Sequence, residues 1–150
     1  MMFYSIISIV RISRYLEFEN VFLATTLANM SCIRAVKTFI RRGPPASLAR
    51  LEIYMLFSLG RGVEGIASTG HGAIVALMLD EVMAGVAAEV FRRHGIITGA
   101  LEVRYKRRVE TPRVVLARAS LKGVKEGGGA EKDRKKREIL LGRWKMGKGE

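Results

Sequence analysis

The sequence predicts an α+β domain in which a long central helix is wrapped by a curved antiparallel sheet, and three observations lead there. Between Gly72 and Arg93 the chain is apolar nearly all round, with Ile74, Leu77, Met78, Val82, Val86 and Val90 among residues that leave no wide polar stripe. A helix of that composition has to be buried on nearly every side. Strand-like runs flank it: Leu51 to Leu59 before it, and Ile96 to Tyr105 and Val114 to Val124 after it. A length of 150 residues suits one core and not two, so helix and strands are expected to share it.

In chain order, residues 1–45 are expected to be a helical or irregular extension. Phe22, Thr26, Ile33, Val36 and Phe39 recur at a loose helical spacing, and Gly43-Pro44-Pro45 then breaks the chain. Consecutive prolines remove backbone donors and restrict the residue before them. The domain proper is expected over residues 46–125. Its first strand, Leu51 to Leu59, ends at Gly60, and Gly60, Gly62 and Gly65 mark a turn. The helix should stop in a left-handed Gly95 after the cations Arg92, Arg93 and His94. The two later strands should form a hairpin with Thr111-Pro112 in its turn. From Gly127-Gly128-Gly129 onward the composition changes: residues 131–138 are charged, and Ile139, Leu140, Leu141 and Trp144 alone offer burial. Residues 126–150 therefore read as a basic, disordered tail, and the sheet as lacking its last strands.

The formal charge is +12, and it is unevenly placed: residues 104–150 carry +10 of it. Such a block suits a nucleic acid, an acidic surface, a phosphorylated small molecule or plain solvent. Trp144 is the one aromatic among the charges of residues 131–148, which makes nucleic acid the weaker expectation. Cys32 is the single cysteine, so neither an intrachain disulfide nor a cysteine-based zinc site can form within one chain; no metal and no cofactor is expected. The apolar opening from Met1 to Val10 is interrupted by Arg11 and Arg14, short of the roughly 20 residues a membrane span needs. Its arginines and few acids are compatible with a mitochondrial presequence, so compartment, cytoplasmic or mitochondrial, stays open.

Candidate chemistry lies on the helix. At its start, Thr69-Gly70-His71-Gly72-Ala73 exposes unpaired amides and a positive dipole end to which an oxyanion could bind, and Gly72 carries no side chain to block the approach. A histidine in that place more often caps the helix than reacts. Further along, Asp80 and Glu81 are the only carboxylates between Gly72 and Ala88, and a buried carboxylate is costly unless something satisfies it. The competing reading is an exposed acid pair on one helix edge. Eight residues separate Gly72 from Asp80, a rise of roughly 12 Å. Both cannot touch one carbonyl within one chain, but two antiparallel copies could set the helix start of one against the aspartate of the other.

At these residues the chain resembles hot-dog-fold acyl-CoA thioesterases of the phenylacetate-pathway and 4-hydroxybenzoyl-CoA type, and their fungal members above all. The resemblance spans about Phe22 to Lys122. It rests on Ser58-Leu59-Gly60-Arg61-Gly62-Val63, His71-Gly72-Ala73, Leu79-Asp80-Glu81, and Thr98 with Leu101-Glu102-Val103-Arg104-Tyr105. It implies a homodimer or homotetramer that hydrolyses acyl-CoA. In that family the aspartate matching Asp80 is general base or nucleophile, the amide matching Gly72 or Ala73 polarises the thioester carbonyl, and the residue matching Thr98 helps place water in some members; His71, in the same motif, is a further candidate catalytic residue. Glu81, Lys106, Arg107 and Arg108 are the candidate substrate contacts, the three cations for the CoA phosphates. Ala73 stands where the family usually has glycine, and Arg108 where it usually has proline. A non-catalytic basic binding or assembly protein, a truncated inactive relative and, less favoured, an enoyl-CoA hydratase are the alternatives.

Overall fold

The computed structural model describes residues 21–42, 51–92, 96–126, 137–142 and 147–148, with side chains described through Leu121. A single π-helical turn, Phe22–Leu27, leads into strand β1, Ile33–Arg41. Strand β2 is Glu52–Leu59, followed by a 3-10 turn at Arg61–Val63 and two short strands, β3 (Glu64–Ile66) and β4 (Thr69–Gly70). Helix α1 runs from Gly72 to Phe91. Strand β5 is Arg113–Glu126, and β6 (Arg137–Gly142) and β7 (Gly147–Lys148) complete the order.

The main sheet is antiparallel, in the order β1-β2-β5-β6, with β7 also pairing β5. On β2 burial alternates strictly: Ile53, Met55, Phe57 and Leu59 are buried, with Glu52, Tyr54, Leu56 and Ser58 half-buried between them. That period of two sends every second side chain to one face. Register extends the layer, since Ile53 lies opposite Ile40 and Ala119, and Phe57 opposite Val36 and Val115. Helix α1 lies on this face. Met78, Leu79, Val82 and Val86 are fully buried, and at Gly85 an added Cβ would come within 3.2 Å of Ile53 Cδ1, so the glycine marks a close helix–sheet approach. One long helix packed on a small antiparallel sheet is the α+β architecture the composition predicts.

Phe57 sits at the centre of this layer with no exposed surface. Phe57→Ala is expected to cost about 3–5 kcal/mol of stability, read from the urea midpoint at unchanged slope.

Several expectations are corrected. Ile33, Val36 and Phe39 lie on a strand: β1 pairs β2 from Ile33↔Leu59 to Arg41↔Glu52, so the sheet begins well before residue 46. Pairing along a neighbouring strand outweighs a loose helical spacing. Residues 96–105 form neither strand nor helix, so no hairpin joins them to β5; Thr111-Pro112 is a cis peptide leading into β5. The helix is buried on its sheet face and half-buried elsewhere, at Ile74, Leu77, Asp80 and Ala84. It ends at Arg92 in the left-handed conformation, φ 50° and ψ 42°, whereas Gly95 lies outside the described residues. Within the tail, Arg137–Gly142 and Gly147–Lys148 pair with β5, so the sheet does continue past it. The break at residues 43–45 also lies outside the described residues.

On the face away from α1, Glu52 gathers charge. Its carboxylate accepts hydrogen bonds from Tyr54 Oη at 2.7 Å and from Arg118, with Arg41 at 3.5 Å. Burial alone raises the carboxyl, but the bonds from Tyr54 and Arg118 outweigh it and hold Glu52 below its usual value. In the pH window between the lowered and the ordinary value the unfolded chain binds more protons than the folded one, so stability rises with pH there. The contribution is present above the ordinary value of 4.5 and lost as pH falls through the lowered one. Glu52→Gln should therefore flatten the acid limb of a stability–pH curve measured by chemical denaturation.

Candidate active site

The start of α1 is built by its own sequence. His71 is the N-cap, extended at φ −61° and ψ 138°, and its Nδ1 accepts a hydrogen bond from the Ala73 N–H at 3.0 Å. For Nδ1 to accept, the ring proton must lie on Nε2. The ring packs against the backbone of Gly65, where a Cβ would fall 2.9 Å from His71 Cδ2. The main chain of His71 is tied down too, its N–H donating to the Val63 carbonyl at 2.8 Å and its carbonyl accepting from Ile74 and Val75. The histidine thus acts as a cap.

This arrangement separates the two candidate oxyanion donors. The Ala73 amide is engaged by His71, whereas the Gly72 N–H donates to no group among the described residues. An N–H at the first helical position has no intrahelical partner to find.

In front of Gly72 lies a cleft of about 280 Å³ lined by Gly70, Gly72, Val75 and the run Tyr105 to Val109. Lys106, Arg107 and Arg108 are all exposed along it. The cleft wall is fastened at two points. Tyr105 Oη donates to the Gly72 carbonyl at 3.0 Å, and the Gly70 N–H donates to the Val109 carbonyl at 2.8 Å. Tyr105 ends the motif Leu101 to Tyr105 on which the resemblance rests, but that motif assigns it no role at the site, and nothing in its spacing points at the helix start.

Asp80 lies eight residues along α1, half-buried, and its Oδ1 accepts a hydrogen bond from Thr98 Oγ1 at 2.6 Å. The second carboxylate oxygen, Oδ2, accepts from no described residue. Glu81 is half-buried too and points about 100° further round the helix axis, away from this pair. The chain therefore presents two separate candidate groups, an amide with cations at one end and a carboxylate with a hydroxyl further along, roughly 12 Å apart by helix rise.

No family model, curated protein or solved structure matches this chain. Among the described residues no helix is long and apolar enough to cross a membrane.

Proposed function

We propose that the protein hydrolyses acyl-CoA thioesters to free acid and CoA, in a site shared by two copies of the chain. One observation carries the reading: the Thr98–Asp80 hydrogen bond joins two residues 18 positions apart that the resemblance to hot-dog thioesterases assigns to one centre. The thioester carbonyl oxygen takes the Gly72 N–H of one copy, where the helix dipole favours the negative charge that develops on it. Asp80 of the other copy, oriented by Thr98, either removes a proton from water as it attacks the carbonyl carbon or attacks that carbon itself. In the first course the carbon–sulfur bond breaks as the tetrahedral intermediate collapses, and the CoA thiolate leaves and takes up the proton. In the second, the carbon–sulfur bond breaks as the CoA thiolate leaves an acyl anhydride on Asp80, and water then hydrolyses that anhydride to free acid and the restored carboxylate, its proton passing to the thiolate. No metal is required, because a thioester is already activated.

The exposed cations of the cleft supply the recognition. Charge-assisted bonds from Lys106, Arg107 and Arg108 to the phosphates of CoA would hold the nucleotide end outside while pantetheine enters. Changing all three to alanine should raise KM for acyl-CoA by about tenfold, roughly 1.4 kcal/mol in all, because each contact is made by an exposed cation in water. The same acyl group on phosphate-free pantetheine should show little change in KM.

The test is thiol release from a panel of acyl-CoA thioesters of differing acyl chain. Turnover above background with at least one of them is expected. A folded protein inert toward every member would remove the proposal.

A further inference from the structure

The face of the sheet turned away from α1 gathers aromatic rings and cations. Alternation along the strands sends Lys37, Phe39 and Arg41 of β1, Glu52 and Tyr54 of β2, and Arg118 of β5 to this side. Register sets them in rows: Arg41 lies opposite Glu52, Phe39 opposite Tyr54, and Tyr54 opposite Arg118. The two rings are therefore neighbours on adjacent strands, with Cβ atoms about 5 Å apart. Lys37 and Arg41 stand two residues to either side of Phe39, roughly 13 Å from each other along β1.

Both rings are half-buried, and each has a cation beside it: Lys37 Nζ lies 5.5 Å from the centre of the Phe39 ring, and Arg118 Cζ 5.5 Å from that of Tyr54. Glu52 is the one acid among the described residues of β1, β2 and β5 that face this way. Its side chain is 14% exposed, whereas Arg41 is 57% exposed and Arg118 41%. Glu52 binds both the Tyr54 hydroxyl and Arg118, which fixes one ring and one guanidinium before any ligand arrives. Three cations against one carboxylate leave the face with a net charge of +2.

We propose that this face binds single-stranded nucleic acid, with two bases stacking against Phe39 and Tyr54 and the phosphates beside them meeting Lys37, Arg41 and Arg118. A base offers its flat face to a protein ring only when it is unstacked from its neighbours, so a pair of rings on a sheet selects a single strand over a duplex. Cations that flank the rings answer a charge that recurs with every nucleotide. A second copy of the chain laid on the same face would set +2 against +2. The basic tail has Trp144 alone among its charges, and the sheet supplies the stacking surface that the tail lacks. The site is independent of the thioester centre, because α1, which carries Gly72 and Asp80, packs on the opposite face.

Fluorescence anisotropy on the full chain, with a labelled oligo-uridine of about ten nucleotides, measures the binding. The unmodified protein should bind it, and Phe39→Leu and Tyr54→Leu should each weaken binding by about fivefold or more, the loss of one stacked base. Lys37→Ala should lower the slope of log K against log salt by about 0.7, one phosphate contact on a single strand. A basic tail attracts any polyanion to some degree, so the place of contact is read separately. Oligo-uridine carrying 5-iodouridine, cross-linked by light and mapped by mass spectrometry, should mark Phe39 or Tyr54. Cross-links confined to residues 122–150 overturn the proposal, as does an unmodified protein that binds no oligonucleotide. Leucine variants that bind as tightly as the unmodified protein also overturn it, and if either variant fails to fold the cross-link map decides. A duplex of the same length that competes as well as the single strand would make the contact one of charge alone, and poly-glutamate competing equally would make the face a dock for acidic protein; either result refutes the proposal.

Discussion

Replacing Asp80 by asparagine is expected to lower thiol release from acyl-CoA by about 100- to 10,000-fold, the range a positioned base contributes. The amide is close to isosteric, and its oxygen can still accept from the Thr98 hydroxyl that now bonds Oδ1 at 2.6 Å, so the fold and the helix should be retained. What is lost is the capacity to take a proton from water or to attack carbon. The fall should therefore appear in kcat with little change in KM, since the cations proposed to hold the substrate are untouched. Unfolding midpoints of the two proteins should agree closely. Equal turnover in both, above background, would take Asp80 out of the mechanism.

The second large effect comes from a backbone group. Gly72→Pro deletes the one helix-start N–H that no described residue uses, at the first helical position, where proline is well tolerated. The preceding residue must then be extended, and His71 at φ −61° and ψ 138° already is. An added Cβ at residue 72 meets the Tyr105 ring at 3.7 Å, an ordinary contact. Loss of one oxyanion donor should lower kcat by about 100- to 1,000-fold. Gly72→Ala keeps the N–H and should keep most of the activity, which separates the amide from any effect of side-chain bulk. A Gly72→Pro protein that is folded and fully active would place the oxyanion elsewhere.

What could be read from sequence follows the range of the interactions that decide it. Helix α1, β2 and β5 were legible because each carries a continuous local pattern: an apolar run in α1, and alternation in the strands that matches the buried face at Ile53, Phe57, Val115 and Ala117. Strand β1 was not, because the spacing of Ile33, Val36 and Phe39 fits a loose helix about as well, and only its pairing with β2 decides the matter. Ile96 to Tyr105 was misread for the opposite reason. It has a strand's alternation but finds no partner among the described residues, and a strand is a property of two segments. Asp80 stood out as a carboxylate in an apolar run and Thr98 was named from resemblance alone, and the fold brings the two together. Tyr105 and the loss of the Ala73 amide to His71 depend on how a loop closes over a helix end, which no spacing records.

The claim on which the rest depends is that one copy's Gly72 amide and the other's Asp80 work on the same carbonyl. It is tested by mixing Asp80→Asn protein with Gly72→Pro protein after each has been shown to be nearly inactive alone. In a mixed dimer, one of the two sites would combine an intact amide from the first chain with an intact carboxylate from the second. Random exchange of subunits at equal amounts should therefore restore about a quarter of the unmodified activity, half of the dimers being mixed and half of their sites intact. A mixture whose subunits demonstrably exchange but which remains as inactive as its components would contradict the shared site.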